Sequence, residues 1–318
     1  MMHPAFEHII GQTNAKKLLS LSINSAKNEG DLVQPLFFGE AGLGKTELAR
    51  SYGNAVAEEL GVEMIEYATP KDFRLVDDFD PFLDRLIGDP KFVVYIDECH
   101  EMDFKMPSHA KFNAYLRKAL DRQNTGKLFQ IADRVSDYDR TKKVIILATN
   151  HPNKVDTAIR SRMNVINLST YNMKQMKEIA RLILSKNDME VDCEQTLDRI
   201  ASCGRGTARP IVKLVMDVFK LMNISTVDNA IAMSGLQMLD MYPAGLDSNE
   251  VKLLDVCKDQ KYTRMQIVSV LSGLRGTFSE SIAYLIQKNL LFAGNGGFKT
   301  TVKGRKYLKY IDEEGFVW

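Results

Sequence analysis

The sequence predicts an α/β domain with a parallel sheet, followed by a helical domain and a C-terminal winged helix. Short apolar runs alternate with helix-compatible stretches in the first half of the chain. From Asn172 to about Gly235 the chain then shows helical spacing without strand alternation, and residues 244–318 contain three short helices followed by a hairpin pattern. We therefore expect three domains, at residues 1–168, 169–243 and 244–318.

The organising motif is the stretch from Gly39 to Thr46, which fits the phosphate-loop pattern G-x-x-x-x-G-K-[ST] at every fixed position. The apolar run Leu36-Phe37-Phe38 precedes it and a predicted helix, Glu47 to Leu60, follows it. In such loops backbone N–H groups face phosphates, the lysine adds positive charge and the Thr hydroxyl ligates Mg²⁺. We assign the following residues to a nucleoside triphosphate, with Thr46 also a metal ligand: Gly39, Gly42, Leu43, Gly44, Lys45, Thr46 and Glu47.

Two carboxylates follow the next buried strand. After a predicted strand from Glu63 to Ala68, the continuous apolar run Phe92 to Ile96 is typical of a parallel strand that is buried on both faces. The run ends in Asp97, which is suited to hold Mg²⁺, and Glu98, which is suited to deprotonate an attacking water.

A further strand, Val144 to Ala148, ends in Thr149-Asn150, and polar groups at the carboxyl ends of parallel strands are typical of ligand sites. We expect Asn150 to hold the same water, with an ordinary turn residue as the alternative. Arg162 precedes a short predicted strand, Val165 to Leu168. Arginine stabilises charge on a transferring phosphoryl group, often from a neighbouring subunit. A surface arginine is the alternative here.

Flanking segments suggest further nucleotide contacts. Ile9 and Ile10, before a predicted helix from Thr13 to Lys27, either line an adenine pocket or are simply buried. Arg209 starts another predicted helix, with Thr207 suited to cap it. Because positive charge at a helix N-terminus opposes the dipole, a phosphate is a candidate partner for Arg209.

The C-terminal pattern predicts a winged helix. The expected elements are helices Ser248–Cys257, Arg264–Leu271 and Thr277–Lys288, then two strands on either side of Gly294-Asn295-Gly296-Gly297. The third helix would lie in the major groove, and the wing would bring Lys299, Lys303 and Arg305 to phosphates. Winged helices also serve as protein-contact modules. Eleven Lys or Arg against eight Asp or Glu from residue 247 onward favour DNA.

Composition excludes several classes of protein. Of 318 residues 45% are hydrophobic, yet no run approaches the ~18 apolar residues of a membrane span. We expect a soluble cytoplasmic protein. The cysteines form no C-x-x-C pair, which indicates neither a zinc knuckle nor a disulfide framework, and we expect reduced thiols: Cys99, Cys193, Cys203 and Cys257.

Taken in order, these motifs resemble the AAA+ ATPases, and among them the bacterial motors that drive branch migration of Holliday junctions. The resemblance covers nearly the whole chain and rests on these stretches: Ile9-Ile10-Gly11-Gln12, the phosphate loop, Ile96-Asp97-Glu98-Cys99-His100, Thr149-Asn150, Ser161-Arg162, Gly206-Thr207-Ala208-Arg209, and Leu285 through Arg305. It implies that Ile9 and Ile10 contact adenine with help from Tyr171, and that Arg162 reaches the nucleotide of the adjacent subunit. It also implies ATP and Mg²⁺ as cofactors, a hexameric ring, and duplex or branched DNA as partner.

The chain departs from that pattern where such motors carry an apolar hairpin that docks RuvA, their junction-binding partner. The segment from Lys105 to Lys143 is polar here, apart from Leu128-Phe129-Gln130-Ile131. A RuvA-like partner and a different partner, as in a divergent phage-borne homologue, both stay open. A clamp loader or helicase loader that acts as an ATP switch is the alternative function. The winged helix favours the motor over such a loader, whose C-terminal part is helical.

Overall fold

The computed structural model describes residues 2–69, 84–102, 107–124, 129–131, 134–136, 138–271 and 278–315. The chain divides into two compact units, Met1–Tyr171 and Asn172–Trp318. The predicted boundary after residue 168 lies close to this division, whereas the predicted boundary after residue 243 falls inside the second unit and stays a prediction. No helix among the described residues has the length and apolar character needed to cross a membrane.

A five-stranded parallel sheet forms the centre of the first unit. In chain order the strands of this unit are β1 (Pro35–Phe38), β2 (Met64–Tyr67), β3 (Phe92–Ile96), β4 (Phe129–Ile131), β5 (Arg134–Ser136), β6 (Lys143–Thr149) and β7 (Asn164–Asn167). The sheet order is β2-β3-β6-β1-β7, and β4 and β5 form a separate antiparallel pair. Every residue of β3 and β6 is buried, as expected for parallel strands covered on both faces. The carboxyl ends of β3, β6 and β1 therefore lie side by side, with the phosphate loop directly after β1.

Helices α1 (Thr13–Ala26), α2 (Lys45–Leu60), α3 (Pro107–Ala119) and α4 (Thr157–Arg160) belong to the same unit. Helix α2 packs close to the sheet at Gly53, where an added Cβ would lie 2.1 Å from Sδ of Met64 and 3.0 Å from Cδ1 of Ile146. The predicted strands and helices of this unit are confirmed, with ends that differ by about two residues, which is the usual uncertainty of element boundaries.

The second unit begins with α5 (Met173–Ser185), α6 (Glu194–Ser202), α7 (Arg209–Leu214) and α8 (Asn229–Met238). A capping box at Asn172 and Gln175 starts α5, and α7 continues into a π-helical turn, Val215–Phe219. The expectation of helices alone was wrong. Strands β8 (Glu190–Val191) and β9 (Thr226–Val227) pair in parallel, and two residues are too few to show alternation in a sequence.

The C-terminal elements are α9 (Ser248–Val256), α10 (Arg264–Val270), α11 (Phe278–Gln287), β10 (Leu291–Gly294), β11 (Gly297–Thr300) and α12 (Val302–Glu313). Three helices and a hairpin confirm the winged helix, while Thr277 lies outside the described residues. Helix α12 was not predicted. It packs on α9 and β11, which buries Leu308 and Ile311.

The turn Pro243–Gly245, here called the boundary turn, is held by side chains from both sides. Arg205, in the loop before α7, donates from Nε to the last carbonyl of the turn and from Nη2 to Glu250. Its guanidinium also lies 4.2 Å from the ring centroid of Tyr284. The hydroxyls of Tyr284 and Tyr307 each donate to a carbonyl of the turn at 2.6 Å. The Glu250 side chain is only 1% exposed and the Arg205 side chain 31%, so the carboxylate of this ion pair is buried and the guanidinium half-buried.

Candidate active site

The phosphate loop links β1 to α2 and has the backbone shape its glycines allow. Gly42 and Gly44 have φ values of +84° and +86°, in the left-handed region that favours glycine. Gly44 is the N-cap of α2, so the first free N–H groups of that helix lie beside the loop. Nζ of Lys45 donates to the carbonyls of Gly39 at 2.7 Å and Glu40 at 3.0 Å. The lysine thus lies across the loop, where an anion would be held.

Two predicted metal ligands, 51 positions apart in the chain, lie in direct contact. The hydroxyl of Thr46 donates to Oδ2 of Asp97 at 3.0 Å, and Oδ1 of Asp97 accepts the backbone N–H of Glu98 at 2.8 Å. The contact forms because α2 starts, and β3 ends, at the same edge of the sheet. A hydroxyl beside a carboxylate supplies the oxygen ligands that Mg²⁺ prefers.

Glu98 holds a buried oxygen that is ready for a ligand. Its Oε2 is buried and has no hydrogen-bond partner among the described residues, although Nδ1 of His100 lies 3.2 Å away. Nδ1 of His100 also lies 3.1 Å from the hydroxyl of Thr149. Burial lowers the pKa of His100, which favours the neutral imidazole at pH 7. The neutral imidazole therefore places no full positive charge beside the Glu98 carboxylate.

Asn150 follows β6, the strand beside β3, and its Oδ1 is likewise buried without a partner among the described residues. Unpaired buried polar atoms cost free energy unless a bound group satisfies them. The unpaired oxygens of Asn150 and Glu98, with the Thr46–Asp97 pair, fit a site built for Mg²⁺ and a nucleotide.

The predicted adenine residues make contacts that the sequence did not indicate. Ile9 is buried and its carbonyl accepts from Nζ of Lys16 at 2.5 Å, while Ile10 is half-buried. The hydroxyl of Tyr171 donates to the carbonyl of Leu43, in the phosphate loop, at 2.9 Å.

Glu47 and Gln12 complete this side of the site. Glu47 lies 2.9 Å from Nε2 of His8, at an exposed position. The side chain of Gln12 reaches the same Leu43 carbonyl that Tyr171 contacts. Gln12 stood in a quoted motif, but nothing in the sequence assigned it a role.

Arg162 is held by a carboxylate of its own unit. Its Nη2 lies 3.2 Å from Oδ2 of Asp121, and Nη1 donates to the carbonyl of Ala158 at 2.9 Å. The backbone N–H of Gln123 and then Arg162 lower the pKa of Asp121, so the carboxylate stays ionised. The sequence did not indicate that Asp121 pairs with Arg162, because a single acidic residue after a helix belongs to no motif.

Arg209 lies in the second unit, exposed, at the first position of α7, as predicted. The expectation that Thr207 caps this helix was wrong. Ala208 is the N-cap and makes no side-chain bond, while the Thr207 hydroxyl donates to the carbonyl of Gly204 at 2.9 Å. The first turn of α7 thus has no side-chain cap, and the role of Arg209 toward a phosphate stays a prediction.

The three predicted DNA contacts do not share one element. Lys299 lies on β11 of the wing, but Lys303 and Arg305 lie on α12, so placing them on the wing was wrong. Lys303 donates to the carbonyl of Lys288 at 2.9 Å. Arg305 donates to two backbone carbonyls, those of Lys258 at 3.2 Å and Thr300 at 3.4 Å.

Comparisons with known proteins agree with this geometry. The family model "ATPase family associated with various cellular activities (AAA)" matches residues 35–171. The chain is 28% identical to the Holliday junction branch migration complex subunit RuvB of Lactococcus lactis, over 97% of this chain and 92% of that protein. The RuvB of Thermotoga petrophila is 26% identical to this chain, and the similarity covers 96% of this chain and 91% of that protein. A solved RuvB mutant from Thermotoga maritima superposes with a TM-score of 0.66 at 26% identity and covers 97% of this chain and 98% of that one.

Proposed function

We propose that this chain is a divergent RuvB-like AAA+ ATPase that uses ATP hydrolysis to move duplex DNA during branch migration of Holliday junctions. The observation that supports this most directly is the juxtaposition of the Thr46–Asp97 pair with the unpaired Oε2 of Glu98. Similarity to RuvB proteins over nearly the whole chain supports the DNA-moving role.

The residues divide the work of hydrolysis. Bound ATP with Mg²⁺ would supply the phosphoryl group that is transferred to water. The positive charge of Lys45 would attract the phosphates at the loop, and Thr46 and Asp97 would hold the metal. Glu98 accepts the proton of the attacking water, and Asn150 orients that water from the neighbouring strand.

Arg162 supplies positive charge to the nucleotide of an adjacent subunit in a homo-oligomeric ring, which we take to be hexameric. The antiparallel pair β4–β5 lies in the segment where RuvB-type motors dock RuvA, and its presence favours a hairpin-docked partner, RuvA-like or otherwise. Leu128, the first residue of the apolar stretch in that segment, lies outside the described residues. Arg209 adds a phosphate contact from α7.

The test of the function is a mobile synthetic four-way junction, incubated with the protein, ATP and Mg²⁺. We expect ATP-dependent conversion of the junction to two duplexes, and no conversion by Lys45→Ala. Hydrolysis without any junction conversion, with an open spiral or an associated clamp in electron micrographs, would favour the loader function instead. A closed ring threaded by DNA supports the motor.

A salt titration tests the DNA contacts. Replacing Lys299, Lys303 and Arg305 together by Ala should weaken binding to every duplex sequence alike. The slope of log affinity against log salt concentration should also become less negative by up to about three, because each phosphate contact contributes about −0.9 to that slope. ATPase activity without DNA should barely change. The measurement is duplex binding at several salt concentrations.

A matched control removes three exposed lysines from the first half of the second unit: Lys186, Lys213 and Lys220. This control should leave the slope near that of the wild type. Equal effects of the two triple variants would mean that only net charge matters. An unchanged slope in the first variant would identify the winged helix as a protein-docking module.

A further inference from the structure

We propose that Gln12 and Tyr171 are positioning residues that fix the peptide between Leu43 and Gly44, so that its N–H faces the β-phosphate of a nucleotide before the ligand arrives. This inference rests on the proposed function of the phosphate loop. It differs from the resemblance, which places Tyr171 at adenine and gives Gln12 no role.

Two buried donors converge on one carbonyl of the loop. The oxygen of Leu43 accepts from the hydroxyl of Tyr171 at 2.9 Å and from Nε2 of Gln12 at 3.3 Å. Gln12 is 8% exposed and Tyr171 is 9% exposed. Burial also raises the pKa of the Tyr171 phenol, which therefore remains a donor at neutral pH. The carbonyl is thus held by protein and needs no water.

Fixing this carbonyl fixes the N–H that follows it. A peptide unit is planar and trans, so the C=O of Leu43 and the N–H of Gly44 point in opposite directions. With the carbonyl turned to Gln12 and Tyr171, the N–H points to the other side of the loop, where the phosphate-loop motif places the anion. Gly44 permits this through its φ of +86°. A Cβ at Gly44 would lie 3.1 Å from the Tyr171 hydroxyl, which shows how closely the tyrosine approaches the loop.

Gln12 is itself held at both ends of its amide. Oε1 accepts the backbone N–H of Ser169 at 3.2 Å, and Nε2 donates to the Ser169 carbonyl at 2.8 Å. These two bonds fix which atom of the amide is the nitrogen, and so which one faces Leu43. The backbone of Gln12 has a left-handed φ of +49°, which is unfavourable for a residue with a side chain. Such a conformation persists where the surrounding contacts determine it.

Together these contacts tie the loop to the segment after β7 and to the residue before α1. All three segments belong to the first unit. A loop that is ordered in advance loses less entropy when an anion binds, and this raises affinity without any new contact to the ligand. The benefit applies only to ligands that carry the phosphate that the loop holds.

The experiment compares ADP, which has a β-phosphate, with AMP, which lacks one. Tyr171→Phe removes one hydroxyl, and Gln12→Leu removes the second donor at similar volume. Calorimetry with each nucleotide should show ADP affinity lowered about tenfold by either variant, the effect of losing one buried hydrogen bond, and AMP affinity unchanged. The control is Tyr138→Phe, which removes another buried hydroxyl of the same unit, bonded to Gln34 at 2.9 Å. It should leave both affinities near those of the wild type.

Equal losses of affinity for ADP and AMP would overturn the proposal and would support a contact of Tyr171 with adenine instead. Unchanged affinities for both nucleotides would overturn it as well. A second readout is hydrogen exchange of the loop amides in nucleotide-free protein, which should be faster in Tyr171→Phe than in Tyr138→Phe. Equal exchange rates would show that the loop is not held by Tyr171. A wild type that binds no ADP would instead contradict the proposed function, so the two failures are distinguishable.

Discussion

Glu98→Gln is expected to bind ATP as the wild type does and to hydrolyse it about 10²–10⁴-fold more slowly, the usual contribution of a general base. The amide has nearly the shape of the carboxylate, but it cannot accept the proton of the attacking water. The contacts of Lys45 and Thr46 are untouched, so binding persists. Lys45→Ala should instead lose binding. Nucleotide affinity and single-turnover hydrolysis, measured separately, distinguish these two defects.

Glu101→Gln provides the matched control, since it makes the same chemical change three residues later in the same turn. Oε2 of Glu101 accepts from the Thr69 hydroxyl at 2.6 Å, and this variant should hydrolyse ATP at nearly the normal rate. If Glu98→Gln also kept near-normal turnover, Glu98 would not be the base. Another carboxylate would then have to accept the proton.

Arg162→Ala is expected to reduce ATP hydrolysis by about 10³–10⁵, the contribution of an arginine finger in phosphoryl transfer, with nucleotide binding spared. Within its own unit Arg162 contacts Asp121 and the carbonyl of Ala158, and its side chain is half-buried. Arg160→Ala is the matched control. Arg160 lies two residues away and reaches only the carbonyl of Pro152, at 3.4 Å, among the contacts described. Its replacement should change the rate far less.

Mixing Arg162→Ala with Lys45→Ala tests whether the arginine acts on a neighbour. Each variant alone should be nearly inactive. A mixed ring contains interfaces that pair an intact phosphate loop with an intact arginine, so part of the activity should return. Mixed rings that form, as shown by differently tagged subunits, yet stay inactive would contradict action in trans.

The sequence predicted best where local pattern and tertiary environment agree. Strands β3 and β6 are buried on both faces, so their apolar runs identify them, and the contact of Thr46 with Asp97 follows from parallel strands that end at one edge. Helix α12 was not predicted because Gly304, which lies near the start of this helix, was assigned to the wing. The structure shows why this helical position is a glycine, since a Cβ added to Gly304 would lie 2.3 Å from the carbonyl oxygen of Leu290.

Contacts between distant residues that belong to no common motif could not be predicted from the sequence. Asp121 meets Arg162 across 41 positions, and Gln12 meets Ser169 across 157. Neither pair has a spacing or motif, because their proximity depends on how the strands are ordered in the sheet. A side chain that acts by holding another leaves no pattern of its own in a single sequence.

The pairing of Arg205 with Glu250 determines how the protein can be dissected into fragments. A fragment that begins at the boundary turn would keep Glu250 and lose the guanidinium that pairs with it, and removing one partner of such an ion pair is expected to destabilise the fragment. Such a fragment should unfold at a lower temperature than one that begins at Asn172 and retains Arg205. Limited proteolysis should for the same reason spare the turn Pro243–Gly245, although its sequence reads as an interdomain linker. DNA-binding measurements on an isolated C-terminal piece would therefore report the loss of this ion pair along with any loss of DNA contact.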